Sequence, residues 1–156
     1  MIILGIDPGT RRIGYGAIKS EHGKLKLISA GILKIKNADD VLAMQEAKKQ
    51  IDAIIEKIKP KIFAVEKLYF AKNQKTALSV AQARGAIILS AIEHGMEVRE
   101  LAPNEVKLGI TGYGFADKKA VFKMVKLFLG TPKLDIIDDA SDALAVAIVA
   151  ARKPTH

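Results

Sequence analysis

The sequence predicts an α/β domain in which a mixed five-stranded sheet is flanked by helices. Three observations predict it. Two short runs, Ile2–Ile6 and Ile62–Val65, are apolar at every position, as in strands buried on both faces. The first third of the chain otherwise reads as strands joined by a tight turn. From Val41 onward the hydrophobic period lengthens to that of a helix.

Taken in order, Ile2–Ile6 is the first strand, and Asp7-Pro8-Gly9-Thr10 turns the chain after it. Gly14–Ile18 and Leu25–Ile35 are two further strands, with Glu21-His22-Gly23 as the hairpin turn between them. Met44, Ala47, Ile51, Ile54, Ile55 and Ile58 recur at helical spacing. Pro60 ends that helix, because the residue before a proline is pushed out of the α region. Ile62–Val65 is the next strand and runs directly into Glu66. A long helix covers Asn73–Glu93, with Gly95 as its stop signal. Met96–Leu101 is the last strand, and Asp117–Leu129 a helix. Ile137, Ala140, Ala143, Leu144, Ala147, Ile148 and Ala151 mark the final helix. A strand meander followed by alternating helices and strands is the element order of the RNase H fold. No repeat, low-complexity tract or Pro/Gly-rich linker divides the 156 residues, so one domain is expected over 1–156.

Composition narrows the function. The chain has no cysteine, which excludes disulfides and thiolate metal sites. No segment has the uncharged apolar length that spans a bilayer, and the opening lacks the basic lead and cleavage site of a signal peptide. A cytoplasmic location and no membrane partner are therefore expected. Lys and Arg number 25 against 17 Asp and Glu, for a net charge of +8. Such a balance suits a polyanion such as nucleic acid.

The acidic residues then stand out against that excess. Asp7 and Glu66 each follow a wholly apolar strand. Alone, Asp7 reads as a turn residue and Glu66 as a solvated strand end. If the two strands are neighbours and parallel, their ends lie about 4.8 Å apart, and both carboxylates meet at one edge of the sheet. That edge is where ligands bind in open α/β sheets. In Asp135-Ile136-Ile137-Asp138-Asp139-Ala140-Ser141-Asp142, residues Asp139 and Asp142 share a helix face. Like charges at that spacing repel unless a cation lies between them. Asp135 fits a helix cap and Asp138 the first turn, where acidic groups favour the helix dipole. Asp139 and Asp142, deeper in the helix, are the metal candidates. Four carboxylates without cysteine suit Mg²⁺, with Mn²⁺ able to substitute, rather than zinc. Two such ions about 4 Å apart would activate water and stabilise the leaving oxygen of a phosphodiester displacement.

These residues sit in a longer pattern. Ile6-Asp7-Pro8-Gly9-Thr10-Arg11 with Gly14-Tyr15-Gly16 resembles the opening motif of the RuvC-type Holliday junction resolvases. Val65–Asn73 is similar to the segment around that family's second carboxylate, and Ala81-Gln82-Ala83-Arg84-Gly85 to a further stretch of it. Pro103–Lys107, Thr111–Gly114 and Ala116–Lys118 resemble its DNA-facing region, and Asp139–Ala145 its closing acidic helix. Tyr69 is a departure, because the family usually has Phe there. The resemblance implies a homodimer that cuts four-way DNA junctions at two symmetry-related phosphodiesters, during recombination and repair. It implies Asp7, Glu66, Asp139 and Asp142 as catalytic, metal-binding carboxylates. It also implies work beside the RuvA–RuvB branch-migration complex.

The cations and rings complete the expectation. Tyr69 and Phe70 follow Glu66 and precede Lys72 and Asn73, a pattern of rings for unpaired bases and cations for phosphate. Lys107, Lys118 and Lys119 surround Gly109, Gly112 and Gly114, which reads as a pliable surface moulding to a phosphate backbone. With Arg11 these are the candidate DNA contacts. Ala77–Ala91 is rich in small residues and allows a close helix–helix contact, within the domain or across a dimer. Ala81 and Ala83 are the positions to test there. Competing readings are an RNase H-type nuclease on another nucleic-acid structure, a non-cleaving junction-binding protein, and a phosphate-binding domain akin to sugar kinases and actin. The last needs a second similar domain, which 156 residues do not accommodate.

Overall fold

The computed structural model describes residues 1–69, 74–136 and 138–153, the side chains of residues 74 and 75 excepted. Five strands, β1 (Ile2–Asp7), β2 (Arg12–Glu21), β3 (Lys24–Lys34), β4 (Ile62–Glu66) and β5 (Glu97–Leu101), form one sheet in the order β3-β2-β1-β4-β5. The meander β1–β2–β3 is antiparallel, whereas β4 and β5 join β1 in parallel. At the hairpin His22 and Gly23 both take positive φ, 50° and 77°, the left-handed pair that matches the twist of the flanking strands.

Five helices cover the sheet: α1 (Asp40–Ile58), α2 (Gln74–Glu93), α3 (Pro103–Thr111), α4 (Lys118–Leu129) and α5 (Asp138–Arg152). The strand period of two decides which helix each residue meets. Leu4, Ile6, Phe63 and Val65 bury against α1 and α2. Ile3, Ile62 and Ala64 bury against α3, α4 and α5. Asp7 follows the parity of Ile3 and Gly5, and Glu66 that of Ile62 and Ala64. Both are thereby assigned to the α5 side.

Two expectations are corrected. Residues 103–111 are not a pliable stretch but helix α3, with Pro103 in its first turn and Gly112 closing it at φ 79°. Gly109 sits inside this helix because a Cβ there would stand 2.9 Å from Val149 of α5. Asp135 lies three residues before α5 rather than at its cap, whereas Asp138 is in the first turn as expected. Other ends match physical signals: Asp39 and Asp117 cap α1 and α4 through their side chains, and Gly95 takes φ 68° after α2.

Candidate active site

Convergence of the carboxylates begins with register. Ile3 pairs with Ile62 and Ile6 with Val65, so one further step along the parallel pair sets Asp7 beside Glu66. The other half comes from α5, which lies unusually close on the sheet. A Cβ at Gly14 would stand 2.0 Å from the Asp139 carbonyl oxygen, and one at Gly5 only 2.1 Å from that of Ala143. At Gly16 it would reach Leu144 at 2.7 Å. No side chain fits in those gaps, so glycine at these three places lets the helix backbone settle on the strands. Asp139 and Asp142 are carried with it to the ends of β1 and β4.

The electrostatics record the result. Burial first, then the carboxylates of Asp142, Glu66 and Asp139, raise the Asp7 pKa to about 7. Glu66 is raised by burial and by Asp142, and held back by Lys107 and Lys118. Lys118 Nζ sits 2.9 Å from Asp142 Oδ2, and this bond pushes its own pKa up. Arg12 Nε lies 3.3 Å from Asp139 Oδ2. Asp7, Glu66, Asp142, Lys107 and Lys118 line a cleft of about 330 Å³.

This donor set fits a hard divalent cation. Its donors are carboxylate oxygens, no histidine lines the cleft, and repulsion among them already lifts Asp7. Among the described residues no three such side chains are drawn into a closed cage. Lys118 on Asp142 and Arg12 on Asp139 bring positive charge to the site.

The other expected contacts divide. Lys107 and Lys118 face the acidic cleft. Lys119 is exposed one residue further on. Tyr69 is 63% exposed and, with Lys67, Arg84 and Glu100, lines a second depression beside Glu66. Arg11 is tied inward: it donates to Asp40 at 2.8 Å and to the Ala38 carbonyl at 2.9 Å, pinning the β1–β2 turn to the start of α1. Phe70, Lys72 and Asn73 lie outside the described residues. Sequence reading gave no role to Arg12 or Arg84. Arg84 donates to the Glu66 carbonyl at 3.0 Å and pairs with Glu100, steadying the strand end that presents Glu66. Its place in the Ala81–Gly85 block was the signal available.

Comparison with known proteins gives one consistent result. Residues 3–150 match the family model described as crossover junction endodeoxyribonuclease RuvC. The protein of that name from Fusobacterium nucleatum is 42% identical over 149 residues, covering 95% of this chain and 78% of the relative. That of Syntrophomonas wolfei is 43% identical, covering 95% and 87%. The Thermus thermophilus RuvC structure superposes with a TM-score of 0.87 at 28% identity, covering 97% of this chain and 93% of that one. The same protein in complex with Holliday junction substrate gives 0.86 at 26% identity, with the same coverage. The yeast mitochondrial Holliday junction resolvase Ydc2 shares the fold, with a TM-score of 0.73 at 15% identity.

Proposed function

We propose, because this chain belongs to the RuvC family of crossover junction endodeoxyribonucleases, that Asp7, Glu66, Asp139 and Asp142 are the carboxylates with which it cuts. The chain is an endonuclease of Holliday junctions with an RNase H-like fold. The observation that supports the site is the convergence of acidic side chains from β1, β4 and α5 on one sheet edge, where burial first and then the neighbouring carboxylates raise Asp7 to about 7. Nothing in the packing of the fold calls for such a cluster, and like charges together cost stability unless a ligand repays them.

Hydrolysis in this family is metal-dependent, and Mg²⁺ is the ion we assign, two per site, with Mn²⁺ able to substitute. Asp7, Glu66, Asp139 and Asp142 would hold the ions, which would supply the activation of water and the stabilisation of charge on the leaving oxygen. Lys107 and Lys118 place positive charge on the cleft wall, where a phosphate enters. Arg84 holds the Glu66 backbone in place through its carbonyl.

Residues 1–156 act as one nuclease domain, in the cytoplasm, beside RuvA–RuvB. No helix among the described residues is long and apolar enough to cross a membrane. The functional unit is a homodimer built on α2. Leu78, Leu89 and Ile92 lie exposed along one side of that helix with Gly85 between them. Ala83, one of the two expected interface positions, instead packs inside the domain, and Ala81 is half-buried.

The test is a labelled four-way junction incubated with Mg²⁺ beside duplex and hybrid controls. Wild type should give paired symmetric nicks in the junction alone. Asp7→Asn, Glu66→Gln and Asp142→Asn should each lose cleavage by at least about 100-fold and still bind. A variant that keeps wild-type turnover removes that residue from the catalytic set.

A further inference from the structure

We infer that the Tyr113–Phe115 ring pair on the α3–α4 loop is a second stacking site of this enzyme, one that receives an unpaired nucleobase at the branch point of the DNA. The inference rests on the junction-cutting reading above. Phe115 is 83% and Tyr113 61% exposed, and their ring centroids are 5.8 Å apart at a tilt of 59°. A single exposed apolar residue needs no explanation. Two aromatic rings side by side on one loop are a different matter, because leaving both in water forgoes the burial that such side chains ordinarily achieve.

The loop that carries them is held firmly. Thr111 Oγ1 accepts from the Tyr113 backbone N–H at 3.1 Å and lies 2.8 Å from the Lys107 carbonyl, to which it donates. The Ala116 N–H reaches the Tyr113 carbonyl at 3.1 Å, and the Ala116 side chain is anchored in the core. The backbone beneath the rings is therefore fixed while the rings themselves face out. A preformed platform of this kind loses little freedom when a flat ligand settles on it.

Position and charge say what the ligand is. The loop leaves α3 four residues after Lys107 and enters α4 at Lys118, and both lysines line the acidic cleft. Lys119 follows, exposed. A nucleic acid whose phosphate lies in the cleft brings its bases close to this loop, and rings flanked by cations are the arrangement that binds unstacked bases. A protein partner docking through apolar contact would have to bury the exposed Lys119 as well, which is costly unless it brings an acidic group of its own. Neither ring lies in the Tyr69–Asn73 segment, so the pair is a site separate in the sequence from the ring at Tyr69.

The experiment uses the full chain and synthetic four-way junctions bearing 2-aminopurine at each branch position in turn, with Ca²⁺ in place of Mg²⁺ to hold the strands uncut. Phe115→Ala should weaken junction binding by about five-fold or more and abolish the fluorescence change at one branch position. Affinity for plain duplex and the melting temperature should stay as in wild type. Phe115→Trp should restore binding, and Phe115→Leu, which keeps the bulk and loses the π face, should not. Wild-type binding and fluorescence in both Phe115→Ala and Tyr113→Ala would overturn the inference. So would an equal loss on duplex and junction, or a change of sedimentation in the absence of DNA, which would mark the rings as a protein contact. A wild-type enzyme that cuts the junction while both ring variants behave identically to it removes the stacking site alone. A wild type that fails to cut in Mg²⁺ removes the function on which it rests.

Discussion

Asp7 is the residue whose chemistry the fold alters most. Its pKa moves from an ordinary 3.8 to about 7, chiefly by burial and then by the carboxylates of Asp142, Glu66 and Asp139. A folded value above the unfolded one means that the fold favours the neutral form. The contribution to stability is complete below pH 3.8 and is lost as the pH rises through about 7. Asp7→Asn escapes that loss. In EDTA the variant should exceed wild type in stability by on the order of 2 kcal/mol at pH 8, and by clearly less at pH 5. Urea denaturation at the two pH values checks this; an equal gap at both would mean that Asp7 titrates normally. Arg12 and Arg84 show what sequence cannot display at this scale. Their partners, Asp139 and the Glu66 carbonyl, are brought to them only by folding, so nothing local distinguishes Arg12 from a solvated arginine, and only the Ala81–Gly85 block marks Arg84.

At the scale of elements, the strands and the long helices were legible because each has a period of its own. The pairing of Asp7 with Glu66 followed from two apolar runs and the assumption that they are parallel neighbours, which the register bears out. Helix α3 was not legible. Its Gly109 answers to Val149 of a helix forty residues away, and glycine read locally signals a loop. The same long-range logic explains Gly5, Gly14 and Gly16, whose role is to admit the backbone of α5. Gly14→Ala puts a methyl group 2.0 Å from the Asp139 carbonyl oxygen, so α5 must lift. We expect a loss of roughly 1–3 kcal/mol together with a fall in cleavage larger than the stability change explains. Wild-type cleavage by Gly14→Ala would show that the height of α5 does not set the geometry of the site.

For the whole molecule, the charge is divided by location: a net +8 surrounds a cleft walled by carboxylates. Long-range attraction brings DNA in, and the acidic centre remains repulsive until cations neutralise it. A junction presents two equivalent phosphates, so a two-fold assembly is the economical reader of it. Leu89→Glu on the exposed side of α2 should produce folded monomers, because Leu89 is half exposed in the single chain and a charge there can reach solvent. Sedimentation should show the loss of the dimer at micromolar concentration. Junction assays should then show single nicks in place of paired ones. A Leu89→Glu protein that still sediments as a dimer would move the interface off α2.

The acidic centre is also a matter of timing. Its parts are spread along the chain, with Asp7 and Glu66 made early and Asp139 and Asp142 only when α5 is reached. A ribosome that has delivered the sheet has delivered two carboxylates and three glycines facing nothing, with no lid to hold the rest. An unfinished chain therefore carries at most half of the proposed carboxylate set, however well its hairpin has formed. Any fragment ending before residue 138 lacks Asp139 and Asp142, half of the carboxylates proposed to cut.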